Sequence, residues 1–187
     1  RQLLSFTSGY EREPPCLNVG IADMGTCVQG IYTLNAATHQ PPGSRFDYAS
    51  THLQVAGLMA MRATSPTATW AELFTAFRTR TGLFPTSRYD LPSPGNPRLA
   101  GGMHWTGAEY LAFLRALYRG TVLTDASRAQ LFANHRGGAT VGTSPALENI
   151  GEDWAYAFGN WLECRTATTA GSYACGEGHR NSSPGAY

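Results

Sequence analysis

Tyr48 and Ser50 stand two residues apart in Asp47-Tyr48-Ala49-Ser50-Thr51-His52, where an apolar segment begins. A phenol in that place can serve as a general base when neighbouring cations favour its phenolate form. Read alone, the same residues also fit a tyrosine packed beside a helix-capping serine. A second group is His179-Arg180-Asn181-Ser182-Ser183-Pro184-Gly185-Ala186-Tyr187. A cation and hydroxyls on an extended segment suit recognition of a substrate carboxylate or oxyanion. A polar edge strand running into a turn has the same composition. The histidines at 39, 52, 104, 135 and 179 are scattered, and none stands at zinc-ligand spacing from a cysteine. No metal site is expected. There is no Gly-x-Ser-x-Gly, His-Glu-x-x-His, dinucleotide fingerprint or P-loop, so no cofactor is expected either. All 14 basic residues are arginine. Schiff-base chemistry and a Ser-x-x-Lys dyad therefore cannot be completed by these residues alone.

The elements that would position these groups can be read in order. Residues 1–47 are rich in Gly, Pro, Asn and Thr and are expected to be loops with short extended pieces. Residues 50–63 carry Leu53, Val55, Ala56, Leu58, Met59 and Met61. That segment is apolar nearly all round and predicts a buried helix, capped by Ser50 or Thr51. Thr69-Trp70-Ala71-Glu72 is a capping box for a helix over 70–80, with Trp70, Leu73, Phe74 and Phe77 on one face and Gly82 to end it. Residues 83–102, with Pro85, Pro92, Pro94 and Pro97, predict a long ordered loop. Thr106-Gly107-Ala108-Glu109 is a second capping box, for a helix over 107–119 with a Tyr110, Phe113, Leu114, Leu117 stripe and Gly120 at its end. A short helix over 125–134, begun by Asp125, follows. Trp154, Tyr156 and Phe158 alternate with small residues and predict a strand over 153–163, with further short strands near 172–175 and 178–187.

Composition bounds the rest. The 187 residues are 42% hydrophobic and 14% charged, with a net charge of +1. They make a globular chain long enough for one core, without the field that nucleic acid or an anionic membrane would need. No run is long and apolar enough for a membrane span. Cys16 and Cys27, and Cys164 and Cys175, are each 11 residues apart. Four cysteines allow three pairings, and two local loops are the simplest. They predict an exported protein, secreted or periplasmic, over four reduced core thiols in the cytosol. The chain opens inside an apolar stretch and stops in a turn, so both ends are read as internal to a longer or nicked protein.

Taken in order, several segments resemble one family. Leu3-Leu4-Ser5-Phe6-Thr7-Ser8-Gly9-Tyr10 is similar to the Leu-Leu-Ser-His-Thr-Ser-Gly-Leu stretch of the serine β-lactamase and penicillin-binding-protein superfamily, in particular its class C and esterase-like branch. Tyr48-Ala49-Ser50 lies where that family has Tyr-x-Asn. Gly101-Gly102-Met103-His104-Trp105-Thr106-Gly107-Ala108-Glu109-Tyr110 resembles its Gly-Gly-Leu-x-Ser-Thr-Ala-x-Asp-Tyr. Trp154 to Trp161 resembles the sheet strand that follows, and His179 to Tyr187 the strand bearing Lys-Thr-Gly.

The resemblance implies an α/β (α+β), β-lactamase/transpeptidase-like fold, in which an antiparallel sheet accompanies a helical lobe. Residues 1–187 would be one partial domain: 1–47 a loop-rich lead-in, 48–145 the helical lobe and 150–187 the sheet strands. It implies a serine hydrolase that acts through an acyl-enzyme on an ester, amide or β-lactam, with a small molecule as its partner. Tyr48 matches the tyrosine that moves protons to and from the nucleophile. Ser50 replaces the asparagine that contacts the substrate amide. Arg180, Asn181 and Ser182 fall on the Lys-Thr-Gly sites when counted back without gaps. A shift of one residue would place His179 there, and Ser183 follows. The family's Ser-x-x-Lys is absent, so the nucleophile would come from a preceding segment or a second chain. The alternative is a non-catalytic binding or structural protein on the same fold, with Ser50 and the altered Lys-Thr-Gly site marking lost activity. A third reading, an unrelated small disulfide-stapled exported domain, would make these matches coincidental.

Overall fold

The computed structural model describes residues 1–163 and the strands at 166–167, 173–174 and 180–182. In chain order, after a 3-10 turn at Pro15–Leu17, the elements are α1 (Met24–Asn35), β1 (Arg45–Asp47), α2 (Thr51–Thr64), α3 (Trp70–Thr81), β2 (Arg88–Tyr89), β3 (Pro92–Ser93), β4 (Asn96–Pro97), β5 (Met103–His104), α4 (Gly107–Tyr118), α5 (Asp125–Phe132), β6 (Thr140–Thr143), α6 (Pro145–Ile150), β7 (Ala155–Tyr156), β8 (Trp161–Glu163), β9 (Thr166–Ala167), β10 (Tyr173–Ala174) and β11 (Arg180–Ser182). The chain divides into two units. A helical unit is Arg12–Ala37 with Ser50–Asp125, and a sheet unit is Arg1–Glu11, Thr38–Ala49 and Ala126–Tyr187.

In the helical unit, both capping boxes form. Thr69 and Glu72 exchange side-chain-to-backbone bonds at the start of α3, and Gly82 ends that helix in the left-handed conformation at φ 69°. Thr106 and Glu109 do the same at the start of α4. The helix α1 is a correction, because residues 1–47 are not all loops. Asp23 caps it, accepting the Thr26 N–H at 2.9 Å and the Thr26 hydroxyl at 2.8 Å. Its buried residues Met24, Cys27, Ile31 and Asn35 follow helical spacing. Gly25, Gly30 and several β-branched residues weaken its intrinsic propensity. Packing against α2 and the disulfide through Cys27 supply what propensity does not. A core of Met24, Met61 and Ala68 forms there, with Val28, Leu58, Trp70, Leu73 and Leu99 packed on it.

The helix α2 is also corrected in character. It is not buried all round: Met59 is 61% exposed. Its buried line is Thr51, Gln54, Gly57 and Met61, joined by His52. Gly57 sits there because a Cβ would lie 1.9 Å from Leu99 Cδ1. The long 83–102 loop is ordered by the paired two-residue strands β2–β5 and β3–β4. Glu109 holds its beginning. Beyond its capping role, its carboxylate accepts the backbone N–H groups of Thr86 (2.7 Å) and Ser87 (3.1 Å) and both hydroxyls.

In the sheet unit, β11, β8 and β7 form an antiparallel sheet in that order, and β9 pairs antiparallel with β10. The strand expected over 153–163 is instead a hairpin. Gly159, at φ 72°, turns the chain so that Ala155 pairs with Leu162 and Tyr156 with Trp161. Ala155, Ala157 and Leu162 form a buried cluster beside the aromatic residues described below. A parallel pair, β1 with β6, completes the unit.

Burial alone would raise the Glu109 carboxyl, but the N–H and hydroxyl donors of Thr86, Thr106 and Ser87 hold it at about 2, below its ordinary 4.5. A carboxyl depressed in the folded state stabilises fully above its unfolded value, and the contribution is lost as pH falls toward the folded value. Urea unfolding followed from pH 7 to pH 2 should therefore show Glu109→Gln less stable than the parent at neutral pH. The two curves should converge between about pH 4.5 and 2. Parallel curves over that range would show that Glu109 does not carry this linkage.

Candidate active site

On the sheet unit, Tyr48 follows β1 directly, and its position is set from both sides of that strand. Arg45, Phe46 and Asp47 pair with Thr140, Val141 and Thr143 of β6, so Gly142 is the extra residue of a bulge. The Arg45–Asp47 ion pair, Nε to Oδ2 at 3.1 Å, lies against Gly142. A Cβ there would come within 2.0 Å of Asp47 Oδ1 and 2.2 Å of Arg45 Nε. Burial raises the Asp47 carboxyl, and the Arg45 guanidinium opposes that rise. On the other side, the Asp47 N–H donates to the Phe6 carbonyl at 3.0 Å. Phe6 adopts φ 57°, a left-handed backbone uncommon for a bulky residue, within the Leu3–Tyr10 motif.

Beyond the bulge, the Tyr48 N–H donates to both the carbonyl (3.1 Å) and the hydroxyl (3.0 Å) of Thr143. The Tyr48 ring rests on an aromatic cluster, 5.3 Å from Phe6, 5.2 Å from Trp161 and edge-on to Tyr156 at 6.1 Å. Phe46 fills the cluster beneath, 5.2 Å from Tyr156 and 5.6 Å from Trp161. Tyr156 is buried, and that burial, with Tyr48 adding to it, pushes its phenol well above its ordinary value. Tyr48 is 44% exposed, so of these two phenols it is the one open to reactants. Across the ladder from Trp161 stands Ser182, with Asn181 opposite Leu162 and Arg180 opposite Glu163. Tyr48, which follows β1 of the β1–β6 pair, thus touches by its ring the Trp161 that pairs with Ser182 in the other sheet. His179, Ser183 and the Cys164–Cys175 pair lie outside the described residues.

On the helical unit, Ser50 is 6% exposed. It stands at the N-cap position of α2, but its side chain makes no cap bond. Its N–H donates to Glu13 Oε1, and its Oγ accepts from Arg98 Nε at 3.1 Å and Nη2 at 2.8 Å. Arg98 was not singled out by the sequence. A lone arginine in a Pro- and Gly-rich loop gives no periodic or motif signal. Cys16 and Cys27 form the expected disulfide.

Three of the described histidines have other partners. His135 stacks on Phe158 at 3.7 Å and donates from Nε2 to the Gln130 carbonyl at 2.6 Å. Its Nδ1 accordingly accepts from Arg1 Nη2 at 3.0 Å. His39 Nε2 lies 3.1 Å from the Ser8 carbonyl, and His104 Nδ1 lies 2.6 Å from Asp90 on the surface. Among the described residues no three His, Cys, Asp or Glu side chains are grouped to hold a metal. No described helix is long and apolar enough to cross a membrane.

No protein-family model and no curated protein matches this chain. Solved structures do. A protein assigned as a β-lactamase from Bacteroides dorei superposes with a TM-score of 0.71 at 26% identity, over 88% of this chain and 52% of that one. A penicillin-binding protein from Bacillus halodurans gives 0.61 at 20% identity, over 87% and 55%. A D-amino acid amidase from Ochrobactrum anthropi, solved with L-phenylalanine amide, gives 0.59 at 14% identity, over 90% and 53%. The chain spans about half the length of each of these structures.

Gly142→Ala should destabilise the protein by about 1–3 kcal/mol, the usual cost of forcing volume into a packed site. Gly138→Ala, where a Cβ meets open space, should change stability by less than about 0.5 kcal/mol. Urea midpoints of the two variants decide the point, and equal midpoints would remove the bulge from this role.

Proposed function

Proceeding from a chain with the fold of the serine β-lactamase and penicillin-binding-protein superfamily, we propose that these residues are part of one such domain in a serine hydrolase. It acts through an acyl-enzyme on an ester, an amide or a β-lactam. The observation that carries this reading is the presentation of Tyr48. Its main chain is locked on Thr143, and its phenol is half exposed on Trp161, one ladder position from β11.

In the proposed reaction a serine hydroxyl attacks the substrate carbonyl carbon. Its proton passes to Tyr48 and from there to the leaving alcohol or amine as the acyl–enzyme bond forms. Water then attacks the acyl carbon, and its proton returns through Tyr48 to the serine oxygen as the acid leaves. The serine and its lysine belong to a Ser-x-x-Lys segment outside these residues, which contain no lysine. Arg180, Asn181 and Ser182, with His179 and Ser183 as the further candidates, are the residues we assign to receiving the substrate carboxylate or oxyanion. The reaction uses no metal and no cofactor. The disulfide Cys16–Cys27 supports a secreted or periplasmic location, where such bonds persist.

One observation favours the non-catalytic alternative. The Ser50 oxygen already receives two N–H groups from Arg98, so a family contact site has been turned to internal use. A fluorophosphonate probe separates the readings. The native protein that contains these residues should be labelled on a serine in its Ser-x-x-Lys segment. Tyr48→Phe should then slow acylation by about 10²-fold or more. A native protein that contains Ser-x-x-Lys yet takes no label favours binding without catalysis, and unchanged acylation in the variant removes Tyr48 from the mechanism.

A further inference from the structure

Arg98 stands at a hollow of about 250 Å³ in the helical unit, lined by Leu17, Asn18, Leu91, Pro92, Gly101 and Gly102. Its guanidinium is fixed by neutral oxygens only. Nε and Nη2 are on Ser50 Oγ, and Nη1 is on Asn18 Oδ1 at 2.8 Å. An arginine can only donate, so the Asn18 amide must turn its oxygen inward. Three of the five guanidinium N–H groups are used in this way, leaving one on each terminal nitrogen. Arg98 makes no ion pair with any described carboxylate. The nearby Glu13 carboxylate takes the Ser50 N–H instead. The Ser50 hydroxyl accepts twice from Arg98 and meets no acceptor for its own proton among the described residues.

We infer that this hollow is a binding site for a small carboxylate carrying a compact apolar group. The side chain at its head is a pre-oriented cation with one N–H to spare on each terminal nitrogen, donors that a carboxylate's two oxygens can take. Ser50 does not line the hollow; it acts behind Arg98, holding the guanidinium in place. Only one cation lines the hollow, which matches a monoanion rather than a phosphate dianion. Leu17, Leu91 and Pro92 give the remainder of the ligand apolar walls.

The backbone makes the hollow rigid. Arg98 N–H donates to the Leu91 carbonyl at 2.7 Å, and Gly102 N–H to the Arg98 carbonyl at 2.6 Å. A Cβ on Gly102 would lie 2.2 Å from the Leu91 oxygen, so the wall closes only with glycine there. The site lies wholly in the helical unit and needs no nucleophile, so it stands or falls apart from the hydrolase reading.

The test is a titration of the native protein that contains these residues, labelled with 15N, by phenylacetate, phenylacetamide and inorganic phosphate in parallel. Phenylacetate should shift the Arg98 Nε–H and the Gly101 and Gly102 amides saturably. The amide and phosphate should bind at least about tenfold more weakly, the worth of one charge-assisted pair. Arg98→Gln should abolish the response, and Ser50→Ala, which keeps the charge, should weaken it severalfold. Equal binding of acid and amide, tighter binding of phosphate, shifts mapping elsewhere, or no saturable response overturns the proposal. The wild-type comparison decides this even if Arg98→Gln fails to fold.

Discussion

The sheet unit hangs on one small exclusion: at Gly142 there is no room for a side chain. The Arg45–Asp47 ion pair occupies the space a Cβ would take. The same glycine is the surplus residue that shifts the β1–β6 register between Phe46 and Asp47. Without the bulge, Asp47 would face residue 142 and Tyr48 residue 143. With it, Asp47 pairs with Thr143, and the next N–H, that of Tyr48, reaches both oxygens of the same threonine. The ion pair itself adds little net stability, because taking a carboxylate out of water costs about as much as its partner returns. What it supplies is register. An Asp47 with its side chain almost wholly buried has to keep Arg45 beside it, and the two together leave β1 one position in which to pair.

A comparable constraint of polar groups governs the helical unit. Gln54, on the buried line of α2, donates to Asn96 Oδ1 and the Pro97 carbonyl and accepts the Leu99 N–H. Asn96 in turn donates to the Cys16 carbonyl. An unbroken path of buried hydrogen bonds therefore joins α2, the 92–102 loop and the disulfide that ties the Pro15–Leu17 turn to α1. Each amide would cost about 1–3 kcal/mol if left unpaired, so the loop cannot drift without exposing the set. A four-proline loop thus presents Arg98 as firmly as a strand would.

Local grammar accounts for what was legible in the sequence. The two Thr-x-x-Glu boxes, Gly82 and Gly120, and the Trp70–Phe77 stripe are short-range signals, and the structure follows them. The helix α1 was not legible, because its glycines and β-branched residues argue against it and its stability comes from Cys27 and α2. The 153–163 strand was half legible: alternation located it, while Gly159 and Asn160, which fold it into β7 and β8, look like small residues in a strand. The α4 stripe was legible as a pattern but not as burial. In this chain Tyr110 and Leu114 stay exposed, while Glu109, the polar residue beside them, goes inside. For the site, Tyr48 could be named from its motif. Thr143, Gly142 and Phe6, which hold it, are brought to it only by the fold.

Ser50 and Arg98 show why a departure from a motif has to be read with its surroundings. The resemblance puts an asparagine at position 50, with an amide that both donates and accepts. A guanidinium can only donate. An asparagine could meet Arg98 only through its amide oxygen, as Asn18 does, and its N–H₂ would then need an acceptor elsewhere. Serine presents one small oxygen that takes Nε and Nη2 together and still holds a proton to give. At position 50, the first residue the chain contributes after leaving the sheet unit, the side chain thus serves to hold Arg98, and the motif position has to be read with the loop that supplies that arginine.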